Sequence, residues 1–205
     1  FAKVNIVTIP ERGGMLGYYV EEFTLTPEEH EILERLIDIL TEELEPTEAI
    51  EDLRSYVTKE VIRLANKYRS VFRLTGSRRA KILYYVERNL LGYGPIDPLM
   101  RDPNIEDISC DGAGKPIYVW HKKYESLPTN IIFNDAEHLN DFIMRLAHKA
   151  GKHVSIAFPV LDAMLPEKHR LAATFSTEVS PRGPTFTIRK FREKPLSPTE
   201  LIKSG

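Results

Sequence analysis

The sequence predicts an α+β protein in which a small helical bundle precedes a mixed sheet flanked by helices. Two observations carry this prediction. Between Thr26 and Leu91 the apolar residues recur at steps of three and four, the spacing of one buried helical stripe. Beyond the break Gly94-Pro95-Ile96-Asp97-Pro98 they alternate or run in short blocks bounded by Gly, Pro and Asn, which marks strands, with one further helical stripe among them.

Lys3 to Phe23 is strand-like: Val4, Ile6, Val7 and Ile9, then Tyr18, Tyr19 and Val20, parted by the loop signal Pro10-Glu11-Arg12-Gly13-Gly14. A hairpin or an extended arm fits this stretch. Thr26-Pro27-Glu28-Glu29 opens the first helix, with Thr26 as cap, Pro27 at the first helical position and Glu29 completing a capping box. Ile32, Leu33, Leu36, Ile37, Leu40 and Leu44 form its stripe, and Pro46 ends it. Glu48, Glu51 and Asp52 complement the dipole at the start of a second helix. Its stripe is Ile50, Leu53, Val57, Val61, Leu64 and Tyr68. A third helix runs from about Ser77 through Ile82, Leu83, Val86, Leu90 and Leu91 and stops at Gly92. Short loops favour antiparallel neighbours.

Pro95 and Pro98 bar continuation of that helix. Ile105 to Cys110, Pro116 to Trp120 and Ile131 to Phe133 follow as strands, the first two joined by a tight turn at Gly112-Ala113-Gly114-Lys115. Asn134-Asp135 opens a helix whose stripe is Leu139, Phe142, Ile143, Leu146 and Ala147, ending at Gly151. Pro159 to Leu165 and His169 to Phe175 are strands around the turn Pro166-Glu167-Lys168. The last strand, Thr185 to Phe191, puts Phe186 and Ile188 on one face and Thr185, Thr187 and Arg189 on the other. Lys190 falls where an apolar residue is expected.

Composition narrows the function classes. At 205 residues, 42% hydrophobic and 28% charged, the chain suits one large or two small soluble domains. No apolar run is long enough to span a bilayer, and no signal peptide opens the chain. Cys110 is the only cysteine, which excludes an internal disulfide and a cysteine-rich zinc site and fits a reducing, cytoplasmic setting. His148 and His153 do not share a helix face, so no metal site is expected. A net charge of -2 makes no case for nucleic acid.

Three stretches carry a resemblance: LGYGPIDPLMRDPNIEDISCDG (Leu91 to Gly112), PIYVWHKKY (Pro116 to Tyr124), and the spaced pattern GKHVS, PVLDAMLP, RLAATF, RGPTFTIRKF and PLSPTELIKSG from Gly151 onward. From about Ile82 the chain resembles the N-terminal half of the secretion ATPase superfamily, the hexameric motors of type II and type IV secretion, type IV pili and the archaellum. The wording is most similar to the archaeal branch. In that family a C-terminal domain carries the phosphate-binding loop, acidic boxes and histidine box. Here G-x-x-x-x-G-K-[ST] is absent: the Gly-Lys pairs are Gly114-Lys115-Pro116 and Gly151-Lys152-His153. The resemblance therefore implies an excised N-terminal region that does not hydrolyse ATP alone. The residue patterns divide the chain into an N-terminal arm and bundle over 1–92, an α+β domain over 93–191, and a linker over 192–205 with a hinge at Arg192 to Ser197, and the resemblance likens the α+β domain to a PAS sensor. ATP, with Mg2+, would be held by the missing C-terminal domain. Partners implied are that ATPase domain, neighbouring subunits of a homohexamer and a membrane platform protein, with no nucleic acid. The location implied is cytoplasmic, peripheral at the inner face of the membrane.

The resemblance also implies the site. Arg189, in Thr187-Ile188-Arg189-Lys190, matches the arginine that approaches the terminal phosphates of ATP, and guanidinium presents a rigid fork of donors to phosphate. Arg170 matches a second family arginine whose turn usually reads Asp-Gly-Ser-Arg. Here it reads Glu167-Lys168-His169-Arg170, and loss of the glycine predicts a different turn. Arg182, in Pro181-Arg182-Gly183, is a third candidate. Lys190 either adds charge there or faces water. Asp162, inside an apolar strand, is read as a buried carboxylate paired with an arginine. Trp120, Tyr118 and Tyr124 are read as sheet packing. No acid–base catalyst is expected. The basic group Lys67, Arg69, Arg73, Arg78, Arg79 and Lys81 is read as a solvated helix end, with an acidic platform protein or lipid headgroups as its partner if it binds anything. Two rival readings remain: a free-standing PAS-like ligand-sensing or interaction module, and a nucleic-acid adaptor.

Overall fold

The computed structural model describes residues 2–10, 13–43, 52–68, 72, 74 and 76–191. The expectations resting on Leu44, Pro46, Glu48, Ile50, Glu51, Arg69 and Arg73, and on the linker over 192–205 with its hinge, lie outside these residues. The chain divides into two units, one of Phe1–Lys3 with Glu21–Pro98 and the other of Val4–Val20 with Leu99–Gly205.

The first unit is the helical one. Helix α1 (Pro27–Glu43) begins with the predicted capping box: the Glu29 amide donates to Thr26 Oγ1 at 3.2 Å, and the Thr26 amide donates to Glu29 Oε2 at 2.9 Å. Helix α2 (Leu53–Lys67) is capped by Asp52, which accepts from the Ser55 amide at 3.0 Å. Helix α3 (Gly76–Val86) runs on into a π-helical turn over Glu87–Leu91. The predicted stripes meet in one core of Ile32, Leu33, Leu36, Leu40, Val57, Val61, Leu64, Ile82 and Val86, joined by Phe72 and Tyr85. Gly92 closes the π turn by donating to the Glu87 carbonyl at 3.0 Å. A Cβ there would lie 2.3 Å from Asp97 Oδ1 and 2.8 Å from the Arg88 carbonyl, so only glycine fits. A 3-10 turn (Gly94–Ile96) then leads into the short α4 (Asp97–Arg101).

The second unit is built on an eight-stranded mixed sheet in the order β1-β2-β5-β4-β3-β8-β7-β6. Its strands are β1 (Lys3–Ile9), β2 (Met15–Glu21), β3 (Ile105–Cys110), β4 (Pro116–His121), β5 (Glu125–Ile132), β6 (Val160–Met164), β7 (Arg170–Thr174) and β8 (Thr185–Arg189). The chain is thus α+β, as predicted. Neighbours β1 and β2 form a hairpin, and β2 pairs β5 in parallel at Tyr18↔Thr129. Asn130 reinforces that join, since its Oδ1 accepts from the Val20 amide at 2.7 Å and its Nδ2 donates to the Val20 carbonyl at 2.9 Å. Val4–Val20 accordingly groups with the sheet unit, whereas the sequence expectation set it with the helices.

Strand β5 also differs from expectation, which placed a strand at Ile131 to Phe133. Its polar first half and Pro128 disguise it, because proline in a strand interior argues against a ladder. The β3–β4 turn is the tight one predicted, with Gly112 and Gly114 both in the left-handed region. Helix α5 (Ala136–Lys149), capped by Asp135 accepting from the His138 amide at 2.8 Å, buries the predicted Leu139, Phe142, Ile143, Leu146 and Ala147. Phe142 meets Phe133 at 4.9 Å and Phe186 at 5.4 Å between ring centroids, which seats α5 on one face of the sheet. The other face of β6, β7 and β8 alternates into exposed residues. Among the described residues no helix is long and apolar enough to cross a membrane.

Candidate functional site

On that open face the antiparallel register sets Arg170 of β7 directly opposite Arg189 of β8. Arg189 in turn stands opposite Asp107 of β3, and Arg170 opposite Met164 of β6. Like charges in directly opposed positions destabilise a ladder, so the pair needs anions nearby. Two carboxylates supply them. Arg189 Nε donates to Asp107 Oδ1 at 2.8 Å. Arg170 grips Asp162 at two points, Nη2 to Oδ2 at 2.9 Å and Nε to Oδ1 at 3.3 Å. Both pairs are open to solvent, with the Arg189 and Arg170 side chains 77% and 70% exposed. Arg170 holds the Asp162 carboxyl below the usual carboxylate range, and the neighbouring Arg170 charge partly offsets the rise that Asp107 produces in Arg189.

The structure thus sets Arg170 and Arg189 in directly opposed positions, with their guanidinium groups turned to opposite sides, Arg189 to Asp107 on β3 and Arg170 to Asp162 on β6. It does not bring Arg182 to them. Arg182 is exposed in the loop before β8, at the opposite end of the strand from Arg189, and a five-residue strand spans about 13 Å between its end residues.

Four expectations are corrected. Asp162 is exposed at 60% and not buried, although the predicted ion pair with an arginine is present. The turn before Arg170 keeps a left-handed residue despite losing its glycine, because Lys168 itself takes φ 64° at a cost of about 1–2 kcal/mol. Tethers on both sides hold it there: the Lys168 amide donates to the Leu165 carbonyl, and His169 Nδ1 accepts from the Phe191 amide at 2.9 Å. Burial pushes the His169 imidazole pKa down, which suits that acceptor role. Trp120 is 46% exposed, opposite Asp107, so it extends the row and does not pack inside the sheet.

Lys190 is the fourth correction, since it neither joins the arginines nor faces water. Its Nζ donates to the Leu99 carbonyl at 3.2 Å and the Asp102 carbonyl at 2.5 Å, capping the C-terminal end of α4. Asp102 Oδ2 also accepts from the Tyr18 hydroxyl at 2.7 Å. Desolvation pushes the Lys190 pKa down to about 8, below its unfolded value near 10.5. Between those values the unfolded chain binds more protons, so this residue's contribution to stability rises with pH and is least favourable below pH 8. Relative to Lys190→Met, the melting temperature of the parent chain should climb by about 3–5 °C from pH 7 to pH 10. Parallel melting curves across that range would dismiss the buried-amine assignment.

Among the described members of the basic group, Lys67, Arg78 and Lys81 are met by carboxylates of the same unit. Arg78 makes a two-point contact with Glu28 at 3.0 and 3.1 Å, Lys81 reaches Glu29 at 3.3 Å, and Lys67 reaches Glu43 at 3.4 Å. The residue that sequence reasoning missed is Asp107. Its only signal was a carboxylate within a strand, and its partner lies 82 residues away.

No protein-family model matches the chain. Three uncharacterized proteins of Methanocaldococcus jannaschii are similar to it. One is 39% identical over 186 residues, covering 91% of this chain and 31% of its own length. Another is 38% identical over 170 residues, covering 80% and 65%, and the third is 32% identical over 126 residues, covering 62% and 17%. The chain therefore spans less than two thirds of the length of each of these relatives. Among solved structures, the VirB11 ATPase from the Brucella suis type IV secretion system, in complex with sulphate, is similar at a TM-score of 0.45 and 21% identity, covering 54% of this chain and 32% of that one.

Proposed function

We propose that this chain is the N-terminal docking and regulatory region of a hexameric secretion-type motor ATPase that powers assembly of an archaellum, a type IV pilus or a secretion filament. Arg189 and Arg170 contact the terminal phosphates of ATP, which a C-terminal ATPase domain holds with Mg2+. The observation that carries this reading is the opposed arginine pair on the open sheet face. Two guanidinium groups on opposed positions of one exposed face suit the oxygens of a phosphate group and lie within reach of a nucleotide held elsewhere. The resemblance of the sequence from Ile82 onward supports the family, and the greater length of the relatives leaves room for a further domain.

In this reading hydrolysis removes a phosphate that the arginines contact, and loss of that differential contact drives rigid-body motion against the catalytic domain. Neighbouring subunits and a membrane platform protein are the partners, at the inner face of the membrane. Arg182 takes no part in the phosphate contact. The rival sensor reading needs a ligand inside the sheet unit, where Ile108, Ile117, Val119, Leu171, Phe186 and Ile188 are each at most 1% exposed and already fill the core.

The test is protection in the full-length protein. Phenylglyoxal should modify Arg170 and Arg189 about tenfold more slowly when ATP is present at ten times its Kd, with no slowing by adenosine. Equal modification rates with and without ATP would end the proposal.

A further inference from the structure

The arginine row is occupied by the chain's own carboxylates. Asp107, Arg189 and Arg170 stand in register across β3, β8 and β7, and Asp162 reaches Arg170 diagonally from β6, two residues along from Met164, so the four charges balance. Asp107 Oδ1 and both Asp162 oxygens take up arginine N–H donors that a phosphate oxygen could otherwise use. Both arginines are open to water, and ion pairs exposed in this way are too weak to lock an arginine away from a multiply charged anion. They still compete with weaker anions for the same donors.

We infer that Asp107 and Asp162 are internal occupants of the phosphate site, each holding its arginine until a terminal phosphate displaces it and together setting the affinity of the row. The inference rests on the phosphate reading above and adds regulation to it. The two carboxylates are not equivalent. Asp162 holds Arg170 through two hydrogen bonds, whereas Asp107 holds Arg189 through Nε. Asp162 is therefore the harder occupant to displace, and its removal frees more binding energy. Both also keep the guanidiniums oriented across the face, so they are positioning residues.

Calorimetric titration of the 205-residue chain with tripolyphosphate tests this. Asp162→Asn should bind about two- to fivefold more tightly than the parent, the factor to which an exposed ion pair converts. Asp107→Asn should gain less, and the double variant should gain more than either. Asp141→Asn, which removes an exposed carboxylate from α5 and changes net charge equally, should leave affinity unchanged. Binding seen only in the double variant also supports the inference. Where the parent binds measurably, equal or weaker affinity in both single Asn variants overturns it, as does an equal gain from Asp141→Asn. Arg170→Ala and Arg189→Ala separate the two layers. If they weaken binding while the Asn variants match the parent, the occupancy idea alone falls. If they bind as the parent does, or if no form binds tripolyphosphate, the phosphate reading falls with it.

Discussion

On the proposed motor reading, alanine at both Arg170 and Arg189 should lower ATP turnover by the full-length protein by about 10³-fold, the low end of what an arginine facing transferring phosphate supplies. The effect should fall on kcat more than on KM, because the ATPase domain's own phosphate-binding loop would retain the nucleotide. Single variants should each cost less than half of this on a logarithmic scale. With the two arginines on opposed positions, the remaining guanidinium can still reach the phosphate, so the sites are coupled and the losses are not additive. Arg189→Lys keeps the charge and loses the planar fork, and it should recover only part of the rate. Both side chains are mostly exposed, so the melting temperature should be essentially unchanged. Turnover within about twofold of the parent, with the fold intact, would remove these residues from the mechanism.

Phe186→Ala should destabilise the sheet unit by about 3–5 kcal/mol, the usual cost of deleting a buried phenyl ring. Phe186 is 1% exposed, stands 5.4 Å from Phe142 and 6.3 Å from Phe133, and sits on β8 between β3 and β7. Its loss opens a cavity beneath the strand that carries Arg189, with α5 above it. Phe186→Leu keeps most of the volume and should cost less than about 1.5 kcal/mol. The chain has two units, so a single global transition is not assured. Hydrogen exchange at β8 amides, read against amides of α1, resolves the sheet unit alone. A loss of protection at β8 worth less than about 1 kcal/mol would contradict the packing described here.

Much of the helical unit was legible because its signals are local. Thr26 and Glu29 cap each other three residues apart, and the stripe from Ile32 to Leu40 follows from the helical period. The faces of β8 were legible for the same reason, since alternation assigns Phe186 inward and Arg189 outward without reference to any partner. Strand β5 was not legible beyond its last residues. Its place between β2 and β4 depends on Asn130 bonding the Val20 backbone, a contact 110 residues long in sequence. Lys190 misled for a related reason: the carbonyls of Leu99 and Asp102 that receive its amine belong to a helix end far away in the chain.

The candidate site divides along the same line. Arg170 and Arg189 were named from the motif, whereas their opposition, the two carboxylates that occupy them and the separation of Arg182 came from the register of four strands. By itself the sequence determined the helix caps and stripes, the inward and outward faces of the strands, and the α+β class, because each is settled by neighbours within a turn or a strand. Only the tertiary structure decided strand order, the parallel join of β2 to β5 and the pairing of Arg189 with Asp107. Sheet register is set by contacts between segments distant in sequence, and a local pattern specifies which face a residue takes without specifying which residue it will face.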